Sequence, residues 1–337
     1  VANDGTVVLA GGTTTTANNY AHAIVGTANS GYTFSSWAAT SGSPTIGSTS
    51  TASTTVKVGA TSTITVTSNY TATPALTRSD YDTFIYSATG ASKYFVSKTQ
   101  TTKPDSGTTG WTAITSKDVS TTAKETWYVW AKDGSGNVSD NFATITNFKV
   151  TLTAGTGTTL TAKADTSDGT AITSGTYVLN GTPVFPTGAA SNGYNTVVVK
   201  KDGTQITNGS SQTISADTTF TSSATANKVT ITLKKDGSNY ADSGMKVSVI
   251  NASNGTTDIL STTVSSGNTA TLTGSGSNLL VAGTTYYVFV GKDSNHKTDM
   301  VYSGVTFTGA ASATATVNYY TLTMKTVNST ATVNGTA

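Results

Sequence analysis

The chain is 337 residues long, with 76 Thr, 40 Ser, 33 Gly, 5 Pro and no Cys, and its formal net charge of +2 with 11% charged residues leaves no basic field for nucleic acid and no polybasic strip for a membrane surface. Two His, no thiol and one Glu, Glu125, leave almost nothing from which to assemble acid–base or nucleophilic chemistry. At 36% hydrophobic, in short alternating runs, the chain is expected to fold, and Thr enrichment suits sheet faces that meet water.

In chain order, nearly every segment reads as a short strand between turn signals. Thr61-Ser62-Thr63-Ile64-Thr65-Val66-Thr67 alternates with period two, and similar runs recur at Val229 to Leu233, Tyr286 to Val290 and Ala313 to Val317. Hairpin turns are predicted at Asn180-Gly181, Asp202-Gly203, Asn208-Gly209 and Asp236-Gly237, because Asn, Asp and Gly tolerate positive φ. Lys57 and Lys149 read as charges that protect strand edges. No apolar run is long enough to span a bilayer as a helix. The fold class expected is all-β, a tandem and elongated string of small β-sandwich or β-repeat modules.

Internal similarity sets the boundaries. Phe148-Lys149-Val150-Thr151-Leu152-Thr153, Lys228-Val229-Thr230-Ile231-Thr232-Leu233 and Tyr320-Thr321-Leu322-Thr323-Met324 look like three copies of one module-opening strand. Thr27-Ala28-Asn29-Ser30-Gly31-Tyr32 also matches Ala189-Ala190-Ser191-Asn192-Gly193-Tyr194. The modules are therefore expected at 1–72, 73–147, 148–226 and 227–318, followed by a strand over 319–337. If Gly335-Thr336-Ala337 is written before Val1, the joined string through Gly5-Thr6-Val7-Val8-Leu9 repeats the pattern of Gly169 to Leu179 with one inserted residue. The two chain ends thus read as halves of one module. The expected assembly contact takes residues 319–337 to the first module of a next copy, with Tyr320, Leu322, Met324 and Val333 meeting Val7 and Leu9.

Several stretches resemble known families. Gly31-Tyr32-Thr33-Phe34-Ser35-Ser36-Trp37, with Thr54-Thr55-Val56-Lys57-Val58 and Thr63 to Thr67, resembles the internalin-B-type B repeats of bacterial surface proteins. The segment from Tyr94-Phe95-Val96 through Gly110-Trp111 to Tyr128-Val129-Trp130-Ala131-Lys132-Asp133-Gly134-Ser135-Gly136-Asn137-Val138-Ser139 is similar to a bacterial immunoglobulin-like domain. Residues 148–226 resemble a divergent B repeat that keeps Tyr194 but has no tryptophan after it, and residues 227–318 resemble prealbumin-like stalk modules. These resemblances imply a secreted or cell-surface bacterial protein whose modules act as spacers or adhesive units.

Three constellations stand against this background. Asp133, Ser135 and Asn137, with Asp140 nearby, alternate oxygen side chains as calcium loops do, but the distal bidentate Glu is missing and the string is also a natural hairpin turn. No cofactor is expected, calcium being the one ion for which ligand types are present. The run Trp127-Tyr128-Val129-Trp130 could present rings to a sugar, yet alternation requires at least one pair to be core. Lys234 on an opening strand and Asn318 on a closing strand are placed as in the intramolecular isopeptide bonds that some prealbumin-like stalk domains use, although that module has no Glu. The sequence points to a non-enzymatic structural subunit of an extracellular filament, surface layer or stalk, its partner being itself. The alternative is an adhesin that binds a glycan or host ligand through an exposed aromatic face. Neither nucleic acid nor membrane insertion is expected.

Overall fold

The computed structural model describes residues 5–9, 21–41, 43–57, 65–240, 245–250, 257–264, 267–291, 304–306 and 312–319. Among them there is no helix; every regular element is a strand, and the strands form many small, separate sheets. The first stretch carries β1 (Gly5–Leu9), β2 (Ala21–Ala28), β3 (Tyr32–Ser41), β4 (Thr45–Ile46), β5 (Ser53–Lys57) and β6 (Thr65–Ala72). Next come β7 (Ala75–Arg78), β8 (Thr83–Ser87), β9 (Ala91–Ser97), β10 (Ser116–Asp118), β11 (Thr126–Asp133) and β12 (Ala143–Ala154). They are followed by β13 (Thr158–Ala164), β14 (Thr170–Ile172), β15 (Tyr177–Leu179), β16 (Pro183–Ala190), β17 (Tyr194–Lys201), β18 (Thr204–Ile206), β19 (Gln212–Thr213) and β20 (Thr218–Ala226). Last are β21 (Lys228–Lys235), β22 (Ser238–Asn239), β23 (Lys246–Ile250), β24 (Leu260–Thr263), β25 (Thr269–Thr273), β26 (Thr285–Gly291), β27 (Gly304–Thr306) and β28 (Ser312–Tyr319).

Contacts divide the chain into two units, one of Val1–Thr151, Ala162–Phe185 and Ser211–Thr218, the other of Leu152–Thr161, Pro186–Ser210 and Thr219–Ala337. The first unit holds the sheets β1-β2-β5-β4 and β10-β8-β7, the β3-β6 ribbon, the strands β9, β11, β14, β15 and β19, and most of β12, while β13 and β16 are divided between the units. One of its cores is aromatic, with Phe84, Tyr86, Tyr94 and Trp127 packed around Val129, and a smaller one joins Ile24, Trp37 and Val56. The polar ends of these rings are tied to loops: Ala88 N–H donates to Tyr94 Oη at 3.0 Å and Trp37 Nε1–H to Thr51 O at 2.9 Å. A buried ring needs such a partner, because an orphaned donor or acceptor costs about 1–3 kcal/mol. Arg78 pairs with Asp165 and so ties the end of β7 to the turn after β13.

The second unit contains the strands β18, β17 and nearly all of β20, which belong to a seven-stranded sheet of order β18-β17-β20-β12-β11-β9, and the two sheets of residues 228–319, where β21 lies between β25 and β28 and the other sheet runs β24-β23-β26-β27. Alternation decides its core. Val229, Ile231 and Leu233 of β21 are fully buried against Val247, Val249, Val288 and Val290, while Thr230 and Thr232 point away. The turns predicted at Asp202-Gly203 and Asp236-Gly237 have positive φ at both residues, 47° and 85°, then 49° and 81°. That is the backbone twist a two-residue hairpin requires.

The matching segments around Tyr32 and Tyr194 have one structure. Gly31 and Gly193 have φ of 84° and 85°, and the following tyrosine N–H donates to Asn29 O at 3.1 Å in one and to Ser191 O at 3.0 Å in the other. Tyr32 pairs with Ala72 and Tyr194 with Ala226; further along, Trp37 faces Ser68 and Val199 faces Ser222. Each copy then hands on to the next segment by the same bond, Thr73 N–H to Gly31 O at 2.9 Å and Asn227 N–H to Gly193 O at 2.8 Å.

Some expectations fall differently. Lys57 is flanked on both sides, by Ala21 of β2 and Thr45 of β4, and is no edge charge. Lys149 pairs with Tyr177, and its backbone N–H donates to Asp217 Oδ1, so neither lysine protects an open edge. Of the Thr61 to Thr67 run, residues 61–64 lie outside the described residues.

Candidate functional site

A polar cleft of about 600 Å³ opens in the first unit. Tyr32 and Ser36 of β3, Ser68 and Asn69 of β6, Thr89 after β8 and Lys103 contribute to its lining. Two of the lining residues, Thr71 and Lys103, are tied together by Asp140. Its Oδ2 accepts from Thr71 Oγ1 at 3.1 Å, its Oδ1 pairs with the Lys103 ammonium, and its N–H reaches back to Thr71 Oγ1 at 3.3 Å. Burial pushes the Asp140 carboxyl up, but Lys103, Ser35 and Thr71 together hold it below the ordinary carboxylate range. Across the ribbon, Asn69 Nδ2 donates to Ser36 Oγ at 3.1 Å.

The adjoining Asp133 loop is a turn. Asp133 Oδ1 accepts from the N–H groups of Ser135 and Asn137 at 2.9 and 2.8 Å, and Oδ2 from Asn137 Nδ2 at 2.8 Å. Both carboxylate oxygens of Asp133 thus serve the loop's own donors, and Asp140 is directed to Lys103 and Thr71. No group of three or more His or acidic side chains that could hold a metal exists among the described residues.

Glu125, the single Glu, is likewise a fastening. Lys98 pairs with its Oε1, while Ser120 N–H and Trp127 Nε1–H donate to Oε2 at 2.9 and 3.1 Å. Burial raises its carboxyl, yet these three donors outweigh burial and leave it below the ordinary range. Beside it Asn147, fully buried, accepts from Glu125 N–H and donates to Ser120 O and Ala123 O. Alternation along β11 puts Trp127 and Val129 in the aromatic core; the other face is also covered, since Trp130 is buried against Phe142 and donates to Gln100 O at 3.0 Å. Trp111 is half-buried, with the Lys132 ammonium 4.5 Å from its ring.

Lys234 and Asn318 are direct partners on the parallel strands β21 and β28. They lie on the face opposite Leu233 and Val317, and Asn318 is exposed, whereas amide formation between such groups needs proton transfer in a dry site. Val7 and Leu9 are in β1, opposite Gly26 and Ile24 of β2 in the same chain. Tyr320, Leu322, Met324 and Val333 lie outside the described residues. Sequence reading missed Thr71, Ser68 and Asn147, whose importance depends on partners many residues away.

No family model and no curated protein matches the chain. Among solved structures, the Bacillus anthracis TIE protein overlays on 72% of this chain with 8% identity and a TM-score of 0.28, and the match spans 55% of that protein's length.

Proposed function

We propose that this chain is a non-enzymatic structural subunit of an extracellular bacterial filament, surface layer or stalk, built of β modules that follow one another and continued head to tail by residues 319–337. The observation that carries this reading is the repeated joint. Two modules separated by 162 residues, Tyr32 to Tyr194, end on the same glycine turn and pass to the next segment through the same backbone bond. A joint used twice is what tandem architectures require, since each repeat is stabilised by its neighbours. The use of Glu125, Asp133 and Asp140 as fastenings supports a scaffold over an enzyme. Burial of Trp37, Trp127 and Trp130 favours the scaffold over an adhesive aromatic face.

Deleting residues 320–337 leaves β28 whole and is expected to abolish filaments in negative-stain microscopy while the near-UV circular dichroism of the remaining chain persists. Filaments formed by the truncated chain would refute the reading.

A further inference from the structure

Two turns of the first unit are joined through a pair of carboxyl groups. One is the β7–β8 turn, where Ser79 N–H and Asp80 N–H both donate to Thr83 O, at 2.9 and 3.1 Å. The other is the turn after β13, where Asp165 holds a left-handed φ of 70° and its N–H donates to Pro183 O at 2.9 Å. Tyr81 N–H is shared between them, donating to Asp80 Oδ1 at 2.6 Å and to Asp165 Oδ2 at 3.0 Å. Oxygens that accept from one N–H lie within reach of each other, and the two carboxyls are themselves hydrogen-bonded. Such a bond needs a proton, because an ionised carboxylate can only accept. Charge counting agrees. Arg78 is the one cation in an ion pair with either carboxyl among the described residues, on Asp165 Oδ1. The other charged groups of the surrounding elements are Asp82 and Asp118, which accept from the Thr83 hydroxyl at 3.1 and 3.0 Å, and Lys163 and Asp168 on β13 and its turn.

We propose that Asp80 and Asp165 share one proton and form a clasp between the β7–β8 hairpin and the turn after β13 that tightens in acid and loosens toward neutral pH. The proton belongs with Asp165, whose side chain is 25% exposed, since ionising it costs more than ionising the exposed Asp80. Burial and then the Asp80 carboxyl push Asp165 up against the pull of Arg78, while the bond to Asp165, the Tyr81 N–H and Arg78 hold Asp80 down. The stabilisation from Asp165 is complete below its unfolded value near 3.8 and is lost as pH rises through the higher folded value. That from Asp80 is complete above 3.8 and is lost as pH falls through the lower folded value. The clasp is therefore tightest between the two folded values, and on further rise the proton passes from Asp165 to water, leaving two carboxylates against one guanidinium.

The full chain, labelled with carbon-13 at aspartate carboxyls, is titrated by NMR from about pH 2 to about pH 8. Asp80 and Asp165 should titrate in two linked steps, one on each side of 3.8. D80N puts an amide donor against Asp165 in place of the proton, and D80A removes the neighbour; both should lower the Asp165 step. Leu179 N–H, which donates to Tyr81 O at 2.7 Å, reports on the joint. Its hydrogen exchange, corrected for the intrinsic effect of pH, should quicken in the native chain as pH rises, by up to about tenfold for each pH unit by which the Asp165 step lies above 3.8, and stay level in D80N. Independent titration of the two groups near 3.8, or an Asp165 step left in place by both variants, overturns the shared proton. Linked steps with Leu179 exchange that runs in parallel in native and D80N chains overturn the clasp.

Discussion

Residues 27–73 and 189–227 are the same device with different fillings. Both have the left-handed glycine, the tyrosine that opens a strand, and a joint from the glycine carbonyl to the next segment. They differ at one core position, where Trp37 is 2% exposed and Val199 is 1% exposed, each facing a buried serine. The difference follows from the loops. After Trp37 the chain makes a long excursion before β5, and the indole organises it: Trp37 N–H donates to Thr49 O at 2.8 Å and Nε1–H to Thr51 O. After Val199 the Asp202-Gly203 turn closes a tight hairpin, with Val199 itself opposite Ile206, so no ring is required. A conserved frame thus takes a large or a small residue according to how much loop it must order.

The largest expected effect tests that statement directly. Trp37→Val gives the first copy the residue of the second, and should cost about 3–5 kcal/mol through the cavity it leaves, with the Thr51 carbonyl losing its donor as well. Chemical unfolding of the first unit measures it, and a loss below about 1 kcal/mol would mean the loop orders itself. Next is the joint. Asn227, 2% exposed, donates from Nδ2 to Leu280 O at 2.7 Å and accepts from Asn195 Nδ2 at 2.8 Å. Asn227→Ala is expected to lose about 2–3 kcal/mol, read as faster hydrogen exchange at Asn195 and Gly274, with Trp37 fluorescence unchanged.

The reverse swap, Val199→Trp, should overpack the second copy by about 1–3 kcal/mol. Parity with the native chain in thermal melting would show instead that the site has room. The smallest effect lies outside both copies and asks whether their stability can be separated from the aromatic core. Because the folded-state pKa of Glu125 is lowered, its contribution is fully present above the unfolded-state value near 4.5 and is lost as pH falls through the lower folded value. The melting temperature of Glu125→Gln should therefore fall less than that of the native chain on acidification below about pH 4.5, with the difference vanishing at lower pH. An identical acid profile would show that the Lys98 pair contributes nothing.

What the sequence made legible was local. Period-two alternation located β21 and its buried Val229, Ile231 and Leu233, and the Asp-Gly pairs located turns whose backbone angles only such residues take readily. The repeat of the tyrosine turn was equally readable, because six adjacent residues carry it. The joints were not: Thr73 to Gly31 is a bond between backbone atoms 42 residues apart, which no side-chain pattern encodes. Asp140 looked like a metal ligand because its neighbours in sequence are oxygen donors, whereas its partner Thr71 lies 69 residues earlier.

One feature of the second unit bears on load. β21 and β28, the first and last strands of residues 228–319, run parallel and side by side, with Lys228 beside Ser312 and Lys235 beside Tyr319. Tension entering at Lys228 and leaving at Tyr319 therefore pulls the two strands along their common axis in opposite directions. Its rungs are loaded together, in shear, and cannot be peeled open one at a time from an end. A chain under tension would find in this pair a clamp that resists until the whole ladder yields at once.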